Sequence, residues 1–256
     1  ADLERPFAYV HMGSLAYVGG EAAFSLGATI GEGFHDYKAT VRLLAGATAA
    51  PVGVRDRIAC GDTFLIQGQS NAAAWDFSNE GVANLAQSPW IRSFGSTLEN
   101  AGTVFDQGWD EADAEVQYGH AGIGQWGHIL AQRLVASEGV PVAIVNGAVG
   151  GTNSTQHLRD AADPENLNTI YGRLLWRARL AGIASTARAL LWYQGESDNG
   201  AEALHAQNFD LLYNDWHADF PALEQLYVFQ VRTGCGVAGR SVREVQRPGR
   251  ARWSTF

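Results

Sequence analysis

Cysteine is scarce in this chain. Only Cys60 and Cys235 occur among 256 residues, which supports neither a disulfide framework nor a cysteine-based zinc cluster. The strand reading below sets Cys60 just before one strand and Cys235 just after another. In a parallel sheet those are opposite edges, roughly 20 Å apart at ~3.3 Å per residue, whereas a bridge needs Cα atoms within about 7 Å. Two free thiols are expected. Basic residues are also few, 18 Lys and Arg against 27 Asp and Glu, for a formal charge of −9. Nucleic acid and anionic membrane surfaces both need a basic footprint, so the charge argues against either as partner. No apolar run approaches the ~20 residues of a membrane span. No basic, apolar, small-residue leader opens the chain; the first residue is Ala, which fits either a leader already removed or a fragment, and localisation stays open, with secreted or periplasmic favoured. His-Glu-x-x-His and Gly-x-Ser-x-Gly are both missing, which removes the main signals of zinc proteases and α/β-hydrolase lipases.

What is present reads as an ordinary globular chain, 46% apolar and 18% charged. The length suits one large α/β domain, or such a domain with a small appendage. Four continuous apolar runs, Thr63 to Ile66, Val142 to Val145, Ala189 to Tyr193 and Leu226 to Val231, have the pattern of strands buried on both faces of a parallel sheet. Between them Ile129, Leu130, Leu134 and Val135 share one helical face, which stops at Gly139-Val140-Pro141. Ile170, Leu174, Leu175 and Leu180 space as a second helix; Leu204, Phe209, Leu211, Leu212 and Trp216 space as a third, closed by Pro221. Strand alternating with helix predicts a doubly wound α/β sheet. Residues 1–60 are glycine-rich with alternating stretches such as Tyr37 to Leu44 and predict a small β appendage, the end of a β module; 61–256 is the α/β domain. The polar stretch from Phe77 to Tyr118 predicts a long loop arching over one edge of the sheet.

Each of the four predicted strands is followed by glycine beside polar groups. After the first come Gln67-Gly68-Gln69-Ser70-Asn71, after the second Asn146 through Gly150-Gly151-Thr152, after the third Gln194-Gly195-Glu196-Ser197-Asp198, and after the fourth Arg232-Thr233-Gly234. Ligands of open α/β sheets bind beyond the carboxyl ends of the strands. Glycine there lets backbone N–H groups come close to a ligand, as an oxyanion hole requires. One such loop is ordinary turn chemistry; four together point to a site.

Three of these blocks resemble the SGNH hydrolases, in the branch of sialate O-acetylesterases and acetylxylan esterases. Gly61-Asp62, a strand and Gly68-Gln69-Ser70-Asn71 resemble the first block, Asn146 to Thr152 the second, and Trp192-Tyr193-Gln194-Gly195-Glu196-Ser197-Asp198 the third. The resemblance runs from about Gly61 to Gln246. It implies a three-layer α/β/α flavodoxin-like parallel sheet. It also implies a serine-dependent carbohydrate O-acetylesterase with Ser70 as nucleophile. The oxyanion hole would use the N–H of Ser70, a backbone N–H of the Gly150-Gly151 loop and the Gln194 amide, with Asn71 and Glu196 as loop support. It implies no metal and no organic cofactor, and an O-acetylated carbohydrate as partner.

The proton acceptor is what the pattern leaves out. This family draws its histidine and carboxylate from one Asp-x-x-His block near the C-terminus, and no Asp-x-x-His occurs in the chain. Of two Glu-x-x-His matches, Glu32 with His35 lies in the appendage. Glu202 with His205 lies in a predicted helix, read as facing away from the strand ends. Ser241 to Arg247 resembles the helix that precedes the family's histidine block, so the chain is read as stopping short of that block, with weak or absent hydrolysis. Gly122-Ile123-Gly124-Gln125-Trp126-Gly127 fits the dinucleotide pattern, but no strand precedes it. His120 and His128 lack a third ligand at metal spacing. Trp75, Trp90, Trp109 and Trp126 offer flat faces for sugar rings or for packing. Two other readings stay open: a non-catalytic carbohydrate-binding protein of the same fold, and a hydrolase or transferase for non-sugar acyl groups.

Overall fold

The computed structural model describes residue 10 and residues 12–76, 83–96, 106–115, 118–232 and 241–247. The chain enters through an antiparallel hairpin, β1 (Gly33–Ala45) and β2 (Thr48–Cys60). Gly46 has φ +61°, the left-handed conformation a two-residue turn between such strands needs. The alternation read at Tyr37 to Leu44 is therefore strand, but both strands stay mostly exposed along their length.

Six strands form the main sheet: β3 (Asp62–Gly68), β4 (Ile91–Phe94), β5 (Trp109–Glu111), β6 (Val142–Asn146), β7 (Ala189–Tyr193) and β8 (Gln225–Val228). Their spatial order is β5-β4-β6-β3-β7-β8, parallel throughout except at the β4–β5 pair. Without the β4–β5 edge the order is second, first, third, fourth, as in flavodoxin-like sheets. The helices are α1 (Ser70–Ala73), α2 (Gln125–Glu138), α3 (Ile170–Leu180), α4 (Glu202–Asp219) and α5 (Ser241–Gln246).

Alternation along the strands builds one core on each face of the sheet. Leu65, Val145, Leu190 and Trp192 pack against Leu174 and Leu175 of α3 and Phe209, Leu212 and Trp216 of α4. Ile66, Ile144 and Leu191 turn to the other face, against Ala72 of α1 and Ala131 of α2. Each fully buried Leu or Ile contributes about 1.5–3 kcal/mol, and the two cores give the expected three-layer α/β/α domain. α3 begins at Thr169, whose hydroxyl accepts from Gly172 N at 2.9 Å, and α2 ends at Gly139 with φ +71°, both as helix ends require.

One sequence expectation changes. The stretch from Phe77 to Tyr118 is not one loop, because β4 and β5 lie within it and extend the sheet. β4 carries Arg92 and Ser93, both buried, which broke the apolar run that would have marked it. Cys60 is a free, partly buried thiol at the end of β2, and Cys235 lies outside the described residues. Among the described residues no helix is long and apolar enough to cross a membrane.

Candidate active site

β3 turns out of the sheet at Gly68. Its φ is +141°, and a Cβ there would lie 2.0 Å from the Tyr193 carbonyl oxygen, so a side chain cannot be placed at this corner. Gln69 N then donates to that same carbonyl at 3.2 Å, which ties the start of α1 to the end of β7. Ser70 opens α1 and is exposed. α1 is a single turn, too short for a sizeable macrodipole, so what the corner offers is free backbone N–H rather than helix charge.

The second block runs alongside. A Cβ on Gly150 would lie 3.8 Å from Ser70 Cβ and 3.3 Å from the Tyr118 hydroxyl. Gly150 N–H donates to that hydroxyl at 2.9 Å. Gly151 has φ +74° and open space around it. Tyr118, itself at φ +55°, stands beside the serine although 48 positions separate them in the sequence.

The third block sits beneath. Gln194 is fully buried, and its Nε2 faces Thr152 O at 2.7 Å, Asp198 Oδ2 at 3.1 Å and Gln69 Oε1 at 3.2 Å. Gln69 Oε1 also accepts from Ser197 N at 3.2 Å, while Gln69 Nε2 faces Ser70 Oγ at 3.5 Å. Asn71 donates its amide to Glu196 Oε1, and Trp126 Nε1 donates to Asn71 O at 2.8 Å. Of the four tryptophans singled out, Trp126 is bonded into this cluster, while Trp90 packs on Phe34 and Trp109 on Phe94.

Asp198 is the hub of the buried layer. It accepts from Ser154 N at 2.9 Å, from Ser154 Oγ at 2.9 Å and from His205 Nδ1 at 3.0 Å, as well as from Gln194. Burial alone would raise its carboxyl, but the hydrogen bonds from His205, Ser154 and Gln194 prevail and hold it down at about 2. His205 is thus turned inward onto the third block, correcting the reading that it faces away; helical spacing did not reveal which side of α4 meets the loop. On its far side Gln246 of α5 donates to Gln194 O at 2.7 Å and lies 3.4 Å from His205 Nε2. His157 is fully buried and bonded to Thr152 Oγ1 at 2.8 Å; burial pushes it down to about 3.

None of the described histidines reaches Ser70. His120 pairs with Asp106 and Asp110, His128 with Gln132, His157 with Thr152, His205 with Asp198, and His217 with the Tyr213 carbonyl. His35 packs against the Tyr37 ring on the hairpin. Among the described residues no group of three or more potential metal ligands forms. The structure therefore brings Ser70, Asn71, Gly150, Gly151, Gln194 and Glu196 together, with Gln69, Tyr118, Ser154, Asp198 and His205 beside them. Gln69, Ser154 and Asp198 stand in or beside the quoted blocks; His205 stands only in the Glu202-x-x-His205 match, read from the sequence as facing away, and Tyr118 carries no local signal.

Ser70 thus stands at the carboxyl edge of a flavodoxin-like parallel sheet, flanked by glycine loops. Residues 60–252 match the family described as carbohydrate esterase, sialic acid-specific acetylesterase, and the chain belongs to that family. Among solved structures it is similar to a carbohydrate acetylesterase from Xanthomonas citri, with 24% identity, a TM-score of 0.55, and coverage of 83% of this chain and 52% of that one. The chain thus spans about half the length of that protein. It is also similar to a protein from Arabidopsis thaliana, with 21% identity, a TM-score of 0.53, and coverage of 72% of this chain and 80% of that one. No curated protein matches the chain.

Proposed function

We propose that this carbohydrate esterase removes O-acetyl groups from a sugar or polysaccharide of the sialate or xylan kind, with Ser70 as nucleophile. The observation that carries the reading is the exposed Ser70 at the carboxyl edge of the sheet, with the Gly150 backbone beside its Cβ and the Gln69 amide 3.5 Å from its Oγ. Ser70 Oγ attacks the acetyl carbonyl and loses its proton to a base outside the described residues. The carbonyl oxygen takes up the negative charge and is met by the backbone N–H of Ser70 and a backbone N–H of the Gly150-Gly151 loop; Gln194, expected as the third donor, stands behind that corner with its amide N–H groups on Thr152, Asp198 and Gln69. Collapse expels the sugar hydroxyl and leaves acetyl-Ser70; water then repeats the sequence and releases acetate. Asn71 and Glu196 brace the loops, residues 1–60 form the appendage, and 61–256 carry the chemistry.

Tyr118 adds a steric requirement. Its hydroxyl occupies the Gly150 N–H, so an acetyl oxygen that takes this donor displaces it. A second reading is supported by the absence of a described histidine at Ser70: a carbohydrate-binding protein that keeps the pocket without turnover. Acetate release from acetylated sugars by wild type and Ser70→Ala separates the two. Release that Ser70→Ala abolishes fits the esterase. Sugar binding retained in Ser70→Ala, with no acetate from either protein, fits the binding protein.

A further inference from the structure

We infer that the side-chain amide of Gln69 is the third oxyanion donor of this site, and that Gln194 serves that corner by holding Gln69 in place. The inference rests on the reading of Ser70 as the nucleophile. Both amides are oriented by partners that can play one part only. The Ser197 N–H can only donate, so the Gln69 atom 3.2 Å from it is the oxygen. That places Gln69 Nε2 toward Ser70 Oγ, at 3.5 Å. Thr152 O is a carbonyl and Asp198 a carboxylate, so the Gln194 atom facing both is the nitrogen.

An amide nitrogen carries two hydrogens. At Gln194 they are shared among three acceptors, Thr152 O, Asp198 Oδ2 and Gln69 Oε1. At Gln69 the one partner of Nε2 among the described residues is Ser70 Oγ, at the outer limit of a hydrogen bond. Gln69 therefore keeps an uncommitted N–H beside the nucleophile. Its side chain is only 5% exposed, and two donors clamp its oxygen. This is a preorganised donor of the kind that stabilises developing charge. In the tetrahedral intermediate the oxyanion stands two bonds from Oγ. A donor slightly too far from Oγ in the free protein is well placed for that oxygen.

Behind the donor the fixation is continuous. Gln194 holds Gln69, Asp198 holds Gln194, and Ser154 and His205 hold Asp198. Gln194 and Asp198 are positioning residues on this account, and Gln69 touches the reacting atoms.

The test compares Gln69→Glu, Gln69→Met and Ser70→Ala in the full-length protein. It measures acetate release from an acetylated sugar, and by boron NMR the tetrahedral adduct of methylboronic acid, with melting curves alongside. In Gln69→Glu one carboxylate oxygen still accepts from Ser197 and Gln194, but the donor is gone. The expected result is a kcat lower by ~10²–10³, the usual loss for one oxyanion donor, with KM changed little. The boronate adduct weakens in parallel. Gln69→Met removes the donor without adding charge and is expected to lose kcat as well. Wild-type kcat in either Gln69 variant overturns the inference and leaves the esterase reading standing. Acetate release that survives Ser70→Ala, or a wild type that forms no adduct, overturns the reading of Ser70 and the inference with it.

Discussion

The two ends of the sheet are held by different physics. At the carboxyl edge, buried polar side chains are cross-linked to backbone and to one another. Arg177 is fully buried and donates to Phe94 O at 2.6 Å and Asn146 O at 2.7 Å, tying the ends of β4 and β6. Burial pulls its guanidinium down to about 9. At the amino edge and along the β1–β2 hairpin, apolar side chains such as Leu44, Val52 and Val54 meet solvent. The ion pairs there, such as Arg57 with Asp110 at 3.3 Å, are about half exposed. A cavity of about 660 Å³ opens at that end, lined among others by Arg55, Arg57, Arg92 and Trp109 and by the starts of β3 and β6, at the opposite end of the strands from Ser70. The cavity and the network of fixed polar groups thus lie at opposite ends of the strands.

Ser70→Ala is the largest break at the carboxyl edge, with acetate release falling to background while the fold persists. Next comes Asp198→Ala, which strands Ser154, His205 and Gln194 in a dry layer. Leaving buried partners unpaired costs about 3 kcal/mol or more, and kcat is expected to fall by ~10² as the Gln69 amide loses its support. Denaturant unfolding and acetate release check the two parts. Arg177→Met exposes the same logic without touching the site, since carbonyls of Phe94 and Asn146 lose their donor at about 1–3 kcal/mol each. The matching change at the other end, Arg57→Ala, is expected to stay within about 0.5 kcal/mol, as exposed ion pairs do. Equal losses from the two arginines in denaturant melts would erase the contrast.

Acid acts on the same layer. His157 takes up its proton near 6.5 when unfolded but only near about 3 in the fold. Between those values the unfolded chain binds more protons, so stability falls as pH drops from about 6.5 and levels off below about 3. At roughly 1.4 kcal/mol per unit the loss amounts to a few kcal/mol. Asp198, at about 2 against an ordinary 3.8, adds a further loss below 3.8. His157→Gln is expected to flatten the upper part of that curve, as read from melting temperatures between pH 4 and 7.

Much of this architecture was legible from residue order. Three of the four apolar runs became β3, β6 and β7, because strands buried on both faces need continuous hydrophobicity, and the fourth became the partly exposed edge strand β8. The helix read at Ile170 to Leu180 is α3. β4 was hidden because Arg92 spends its guanidinium on Pro89 O and Arg57 O within a buried strand. The site was legible where the chain itself supplies it, at Gly68-Gln69-Ser70-Asn71 and Gly150-Gly151. It was not legible where distant segments meet: Tyr118 reaches Gly150 across 32 positions, and Asn208 reaches Ser154 across 54. Gln69 and Gln194 were both in view as letters. Which amide nitrogen is spent and which is spare depends on Ser197, Thr152 and Asp198, and only their arrangement in space decides it.

The most direct test of the central claim is mass spectrometry of the protein quenched during turnover of an acetylated sugar. The account predicts one added acetyl group on the peptide containing Ser70, and none in Ser70→Ala. Acetate release with the acetyl group elsewhere, or release unchanged in Ser70→Ala, would contradict it.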